Sequence, residues 1–211
     1  MARRTVTQAP STGGEIMGDW FQRIVDTEAT PEQAQGLAAN VLDWLIADGF
    51  VSAERTDCVL GADAGHAPGA RYGEAVENPD PELVRVWSNG LHVTVGRTVF
   101  DAGQGEPSAV TCPHCAAETP LVDAYWSPIE EGWDRFSGAV NSWGEGDDEP
   151  VECPSCGRAA PVHTWLWADD YFVFGHLGFT FWNWPTLRPE FDADFSRRLG
   201  GHRTVLLEGK L

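Results

Sequence analysis

The chain has 211 residues, enough for one ordinary domain with a real core, or for a domain that carries a small insertion. Its 32 acidic and 14 cationic side chains give a formal charge of −18, a field that repels phosphate backbones and argues against a nucleic-acid partner. No apolar run approaches membrane-spanning length, and five cysteines, four of them paired by spacing, fit a reducing compartment; the expected location is the cytoplasm.

Residues 1–14 are polar, with Pro10, Ser11, Thr12 and the Gly13-Gly14 pair, and read as a flexible tail. Arg3-Arg4 is not followed by the apolar segment that an export signal needs. From Glu15 to Asp26, the positions of Ile16, Trp20, Ile24 and Val25 suit one face of a helix. A second helix follows. Thr30 is a good N-cap, Pro31 suits the first helical position and Gln33 completes a capping box. Ala34, Leu37, Ala38, Val41, Leu42 and Leu45 form its apolar face, and Gly49 ends it.

A short strand is expected between Phe50 and Leu60, then a loop over Gly61–Gly73 that lacks the lysine and hydroxyl pair of a phosphate-binding loop. Cys58 reads as a small buried apolar residue. Leu83–Trp87 and Leu91–Val95 flank Ser88-Asn89-Gly90, a strong hairpin signal, and Arg97–Phe100 extends the second strand.

Next come Cys112-Pro113-His114-Cys115 and Cys153-Pro154-Ser155-Cys156, with 37 residues between Cys115 and Cys153. Each turn can fold two thiolates toward one point, so Cys112, Cys115, Cys153 and Cys156 together complete the tetrahedral shell of a structural zinc ion. Two disulfides suit a small secreted chain better than this one, and a redox pair needs a single CxxC turn between a strand and a helix. Four thiolates suit iron as well as zinc. His114 is expected to point away, since four sulfurs already fill the metal. Through CPHC and CPSCG the sequence resembles the zinc-ribbon proteins with rubredoxin-like knuckles, with Ala116 where the first knuckle usually has glycine. The resemblance covers two short hairpins and implies a metal and a local fold. The wider pattern resembles bacterial zinc-ribbon proteins of unassigned role, and the excess of arginine over lysine suggests a GC-rich bacterial genome.

Between the knuckles, Pro120–Trp126 reads as a strand, and Ile129, Trp133, Phe136, Val140 and Trp143 form a helical stripe after Pro128. Asp147, Asp148 and Glu149 lie in an acidic loop. After the second knuckle, Tyr171–Trp184 is the most apolar stretch of the chain. Phe179 and Phe181 fall on one side of an extended strand and Trp182 and Trp184 on the other. Such a strand belongs in the middle of a domain, although Trp182 and Trp184, if exposed, would make a recognition surface. A helix from Pro189, with Phe191, Phe195 and Leu199 at four-residue steps, leads to a last strand over Arg203–Leu207.

The expected architecture is α+β: N-terminal helices and a C-terminal strand-helix-strand on a mixed sheet, with an inserted zinc ribbon. Its parts are the tail, an α+β segment over 15–107, the ribbon with its helical insertion over 108–164, and a β-α-β segment over 165–211 that completes the core domain. No nucleophile with an identifiable base stands out, so no catalytic residue is assigned. The leading functional expectation is a non-catalytic cytoplasmic zinc protein that binds another protein through Asp147, Asp148 and Glu149 or through Trp182 and Trp184. The rival expectations are a nucleic-acid-associated ribbon, which the charge opposes, and an enzyme with a pocket at 171–184 using His176 or Asp169 and Asp170.

Overall fold

A computed structural model describes residues 18–211, so the expected tail over 1–14 lies outside the described residues. The chain begins with β1 (Trp20–Asp26), α1 (Pro31–Ala47), β2 (Val51–Thr56), β3 (Gly65–Pro68) and β4 (Gly90–Asp101). A long connection then contains β5 (Ala109–Thr111), β6 (Glu118–Pro120), α2 (Glu130–Glu145), β7 (Pro150–Glu152), β8 (Ala159–Pro161) and β9 (Leu166–Trp167). The chain returns as β10 (Phe172–Trp182), α3 (Pro189–Arg198) and β11 (Thr204–Lys210).

Six strands form one antiparallel sheet in the order β11-β1-β10-β4-β3-β2. Within it, β1 and β4 are parallel but separated by β10, and β10 and β11 are parallel but separated by β1. The four strands and helices α1 and α3 therefore make two interlocked split β-α-β units, the ferredoxin-like arrangement. The cysteine segment is an insertion in the β4–β10 hairpin of that unit.

The sheet is antiparallel, not mixed, and its first element is a strand where a helix was expected. Trp20 and Ile24 are four residues apart, a spacing that serves both a helical turn and one face of a strand. Tertiary pairing decides between them. As a central strand β1 is apolar on both sides: Ile24 packs under the helices, while Phe21 and Val25 join clusters on the opposite face.

Helix α1 forms as expected, and the Thr30 amide donates to Gln33 Oε1 at 3.1 Å. Ala34, Ala38, Val41, Trp44 and Leu45 are buried against Leu177, Phe179 and Phe181 of β10 and Phe191 and Phe195 of α3. The register of β10 against β4 shifts between Gly175 and Leu177, where His176 alone stands opposite Gly96 and Arg97, so the extra residue of the bulge lies on β4. Alternation along β10 breaks at this irregularity. Phe172 and Phe174 thereby share a face with Leu177, Phe179 and Phe181, so one side of β10 serves α2 at one end and α1 and α3 at the other.

The Asn89-Gly90 hairpin does not form. Leu83–Arg85 is a short 3-10 turn, and β4 pairs with β10 and β3 instead. Asn89 is buried, and its Nδ2 donates to Leu83 O at 2.7 Å and Asn183 O at 3.0 Å. Asn183 in turn donates to Asp19 Oδ1 and to Ser88 O and Oγ, which ties β1, β4 and β10 at one end of the sheet. The expected strand over Pro120–Trp126 is confined to its first residue, where β6 ends. Among the described residues, no helix is long and apolar enough to cross a membrane.

Candidate metal centre

The inserted segment builds the same hairpin twice. Strands β5 and β6 hold the first cysteine turn between Thr111 and Glu118, which pair, and β7 and β8 hold the second between Glu152 and Ala159, which also pair. Both turns close in the same way. The Ala116 amide donates to Cys112 O and the Cys112 amide to Ala117 O, each at 3.0 Å. In the second turn the Gly157 amide donates to Cys153 O at 2.9 Å and the Cys153 amide to Arg158 O at 3.0 Å. The closing residue is left-handed in both, with φ of 57° at Ala116 and 68° at Gly157. Glycine takes that conformation without penalty, whereas alanine is strained there.

The two turns bring Cys112, Cys115, Cys153 and Cys156 together, with all four sulfurs within 4.8 Å of one another. Cys115 Sγ and Cys153 Sγ are 3.8 Å apart. A tetrahedron of sulfurs about 2.3 Å from a central zinc has edges of about 3.8 Å, so the donor set fits that ion. Cys112 and Cys153 are buried, and Cys115 and Cys156 reach the surface.

The thiols hold their protons unequally. At Cys115 the Ala117 amide favours the thiolate, but burial and hydrogen bonds to the other three sulfurs push its pKa up to about 12. At Cys153 burial works the other way from the outcome: the Cys156 and Ser155 amides and the sulfurs of Cys112 and Cys156 draw it down to about 6. Four sulfurs this close cannot all carry charge without a shared cation, and a divalent metal removes that conflict. His114 stands outside the cluster. Its Nε2 lies 3.2 Å from Ala159 O, joining the first turn to the second hairpin, while its amide donates to Cys112 Sγ at 3.4 Å.

A separate core supports the cluster. Cys112 and Cys153 pack with Val110, Leu121, Phe136, Val140, Trp143, Val151 and Val162, and with Trp165 and Trp167. Phe136 of α2 is fully buried and meets Trp165 and Trp167 edge-on at 4.9 and 5.7 Å. The helical stripe read from Ile129 to Trp143 is thus the hydrophobic wall behind the knuckles.

The other expected site residues fare differently. Trp182 and Trp184 are each 5% exposed, so they do not form a recognition surface. Trp182 packs on Phe21. Trp184 lies beyond the end of β10 and packs on Phe181, on the side of Phe179 and Phe181 and not on that of Trp182 as expected, since the left-handed Asn183 (φ 54°) breaks the alternation. In the acidic loop, Asp148 Oδ1 lies 3.1 Å from His163 Nδ1, and Asp147 O accepts from Arg97 at 2.5 Å; Glu149 is exposed. Asp169 and Asp170 lie on a surface turn and do not line the cavity beside His176.

His176 borders a cavity of about 340 Å³ at the seam between the insertion and the sheet, with Arg97, Trp143, Asp148 and His163. The Arg97 guanidinium sits 4.3 Å over the Trp143 ring and donates to Trp143 O at 2.6 Å. The Asp148–His163 pair and the Arg97 clamp join residues remote in sequence. No local motif announces them.

Replacing Cys153 with serine leaves an incomplete shell and is expected to abolish stoichiometric metal binding and lower the melting temperature by several degrees at least; metal analysis and calorimetry check this. Exchanging the knuckle residues should move stability in opposite directions. Ala116→Gly is expected to stabilise and Gly157→Ala to destabilise by about 0.5–1 kcal/mol, measured by urea denaturation of the metal-loaded protein, whereas equal signs would contradict the shared geometry.

Comparison with protein-family models, curated proteins and solved structures finds no match to the chain, so the functional reading rests on the site itself.

Proposed function

We propose that this chain is a zinc-stapled, non-catalytic cytoplasmic protein that works by binding another protein. The observation that carries the reading is the convergence of four sulfurs within 4.8 Å, because four thiolates fill a tetrahedral zinc and leave no position for water or substrate. Such an ion shapes and stabilises a segment. The partner is inferred from charge: with a formal charge of −18 the surface attracts basic proteins and repels nucleic acid and anionic membranes. Glu130 and Glu131, in the first turn of α2, are exposed, whereas Asp147 and Asp148 are partly engaged within the fold.

A second reading, a small-molecule or catalytic pocket, is favoured by the cavity beside His176 and by a larger one, about 560 Å³, bordered by Asn183 and Trp184. It lacks a nucleophile placed against a base. Asp148 orients His163, but no hydroxyl or thiol is hydrogen-bonded to that imidazole in the described residues.

Native mass spectrometry of the full chain isolated from its source at moderate salt is expected to give one zinc and one copy of a protein partner. Glu130→Gln with Glu131→Gln should then weaken the complex several-fold and flatten its salt dependence. A chain that emerges alone, or with iron, contradicts the reading in its partner or in its metal.

A further inference from the structure

The turn between β6 and α2 holds two aromatic rings in solvent. Val122 and Pro128 pair across its base, and the Asp123 amide donates to Ser127 O at 2.9 Å. Inside it, Asp123 Oδ1 accepts from the Tyr125 amide at 2.8 Å and the Ser127 amide at 2.9 Å, while the Trp126 amide donates to Asp123 O at 3.1 Å. The backbone is satisfied without help from either ring. Tyr125 is 87% exposed and Trp126 73%, the two largest exposures among the large apolar side chains described. Trp126 also has φ of 62°, a left-handed conformation that glycine or asparagine adopts readily and a bulky residue rarely. Folding gives no reason for these side chains: burial does not use them, and the backbone at 126 would be relaxed by glycine.

We propose that Tyr125 and Trp126 are the anchor pair by which the chain docks into an apolar pocket, rimmed by lysine or arginine, on a partner protein. The inference rests on the partner-binding reading above and names its surface. Aromatic rings of this size bury about 150–250 Å² each and are the commonest interface hot spots. The rim's sign follows from the flanks of the turn, where Glu118, Asp123, Glu130, Glu131 and Asp134 are all exposed. The same carboxylates oppose a second copy of this chain, a nucleic acid or an anionic bilayer. Strain at Trp126 is consistent with a ring fixed in its bound position before contact, which lowers the ordering cost of association.

The test uses the protein that co-purifies with the full chain in one-to-one ratio, titrated against three variants. Trp126→Gly removes the ring and suits the left-handed backbone, so its melting temperature should be unchanged or raised while affinity falls at least about thirtyfold. Tyr125→Ala should lose affinity similarly. Trp87→Ala is the control: Trp87 is 60% exposed, and the twelve residues of β4, about 40 Å of strand, separate it from the end that bears the insertion. It should bind as the wild type does. Loss of affinity in Trp87→Ala with retention in Trp126→Gly overturns this surface but leaves the partner-binding reading standing. A homodimer dispersed by Trp126→Gly overturns the basic partner, and the absence of any stoichiometric protein overturns both readings together. A lowered melting temperature in Trp126→Gly would show that the ring serves the fold and would also overturn the proposal.

Discussion

Four sulfurs drawn within 4.8 Å of one another form a site that is unfavourable when charged and empty, and favourable around a divalent cation. The insertion depends on that constraint. Its strands β5 to β9 are two or three residues long, too short to hold a sheet by themselves, and its helix has one apolar face to bury. A core of this size rarely supplies more than about 3–5 kcal/mol, so small modules are commonly stapled by a metal or by disulfides. Here Cys112 and Cys153 are members of the hydrophobic cluster as well as of the four-sulfur group, which makes the candidate metal site continuous with the packing behind it.

The insertion is joined to the sheet by side chains as well as by the backbone. Val99, Phe172 and Phe174, on the paired ends of β4 and β10, pack against its core, and Arg97 caps the C-terminal end of α2 through Trp143. The irregularity where His176 faces Gly96 and Arg97 makes this possible. With unbroken alternation along β10, Phe172 and Phe174 would face away from the side that carries Phe179 and Phe181, and one strand could not serve both cores. The sheet thus sets the orientation of the insertion while the cysteines set its internal shape. The surfaces it offers, including the turn at Tyr125 and Trp126, are presented from a framework fixed at both levels.

Some of this was legible from residues alone because the signals were local. Paired CxxC turns name their own ligands, the Thr30–Gln33 box marks the start of α1, and Phe191, Phe195 and Leu199 mark α3. The stripe from Ile129 to Trp143 likewise identifies α2. Other elements depend on remote pairing. Trp20 and Ile24 satisfy a helix and a strand equally, and only the neighbours β10 and β11 make the segment a strand. Asn89-Gly90 carries a hairpin signal, but the Asn89 side chain is taken up by Asn183, 94 residues away, and the turn opens into a buried junction. Trp182 and Trp184 are large aromatics whose exposure no local pattern decides. The seam at His163 and Asp148 has no sequence signal at all, since a helix, a loop and a bulge must meet before it exists.

The proposed function rests on one zinc ion shared by the four cysteines in a closed shell. X-ray absorption at the zinc edge on the purified full chain tests it most directly. One zinc per chain is expected, with four sulfur neighbours at about 2.3 Å and no nitrogen or oxygen bound to the metal. A shell containing nitrogen or oxygen, or a fully folded chain without zinc whose cysteines are disulfide-bonded, would contradict it.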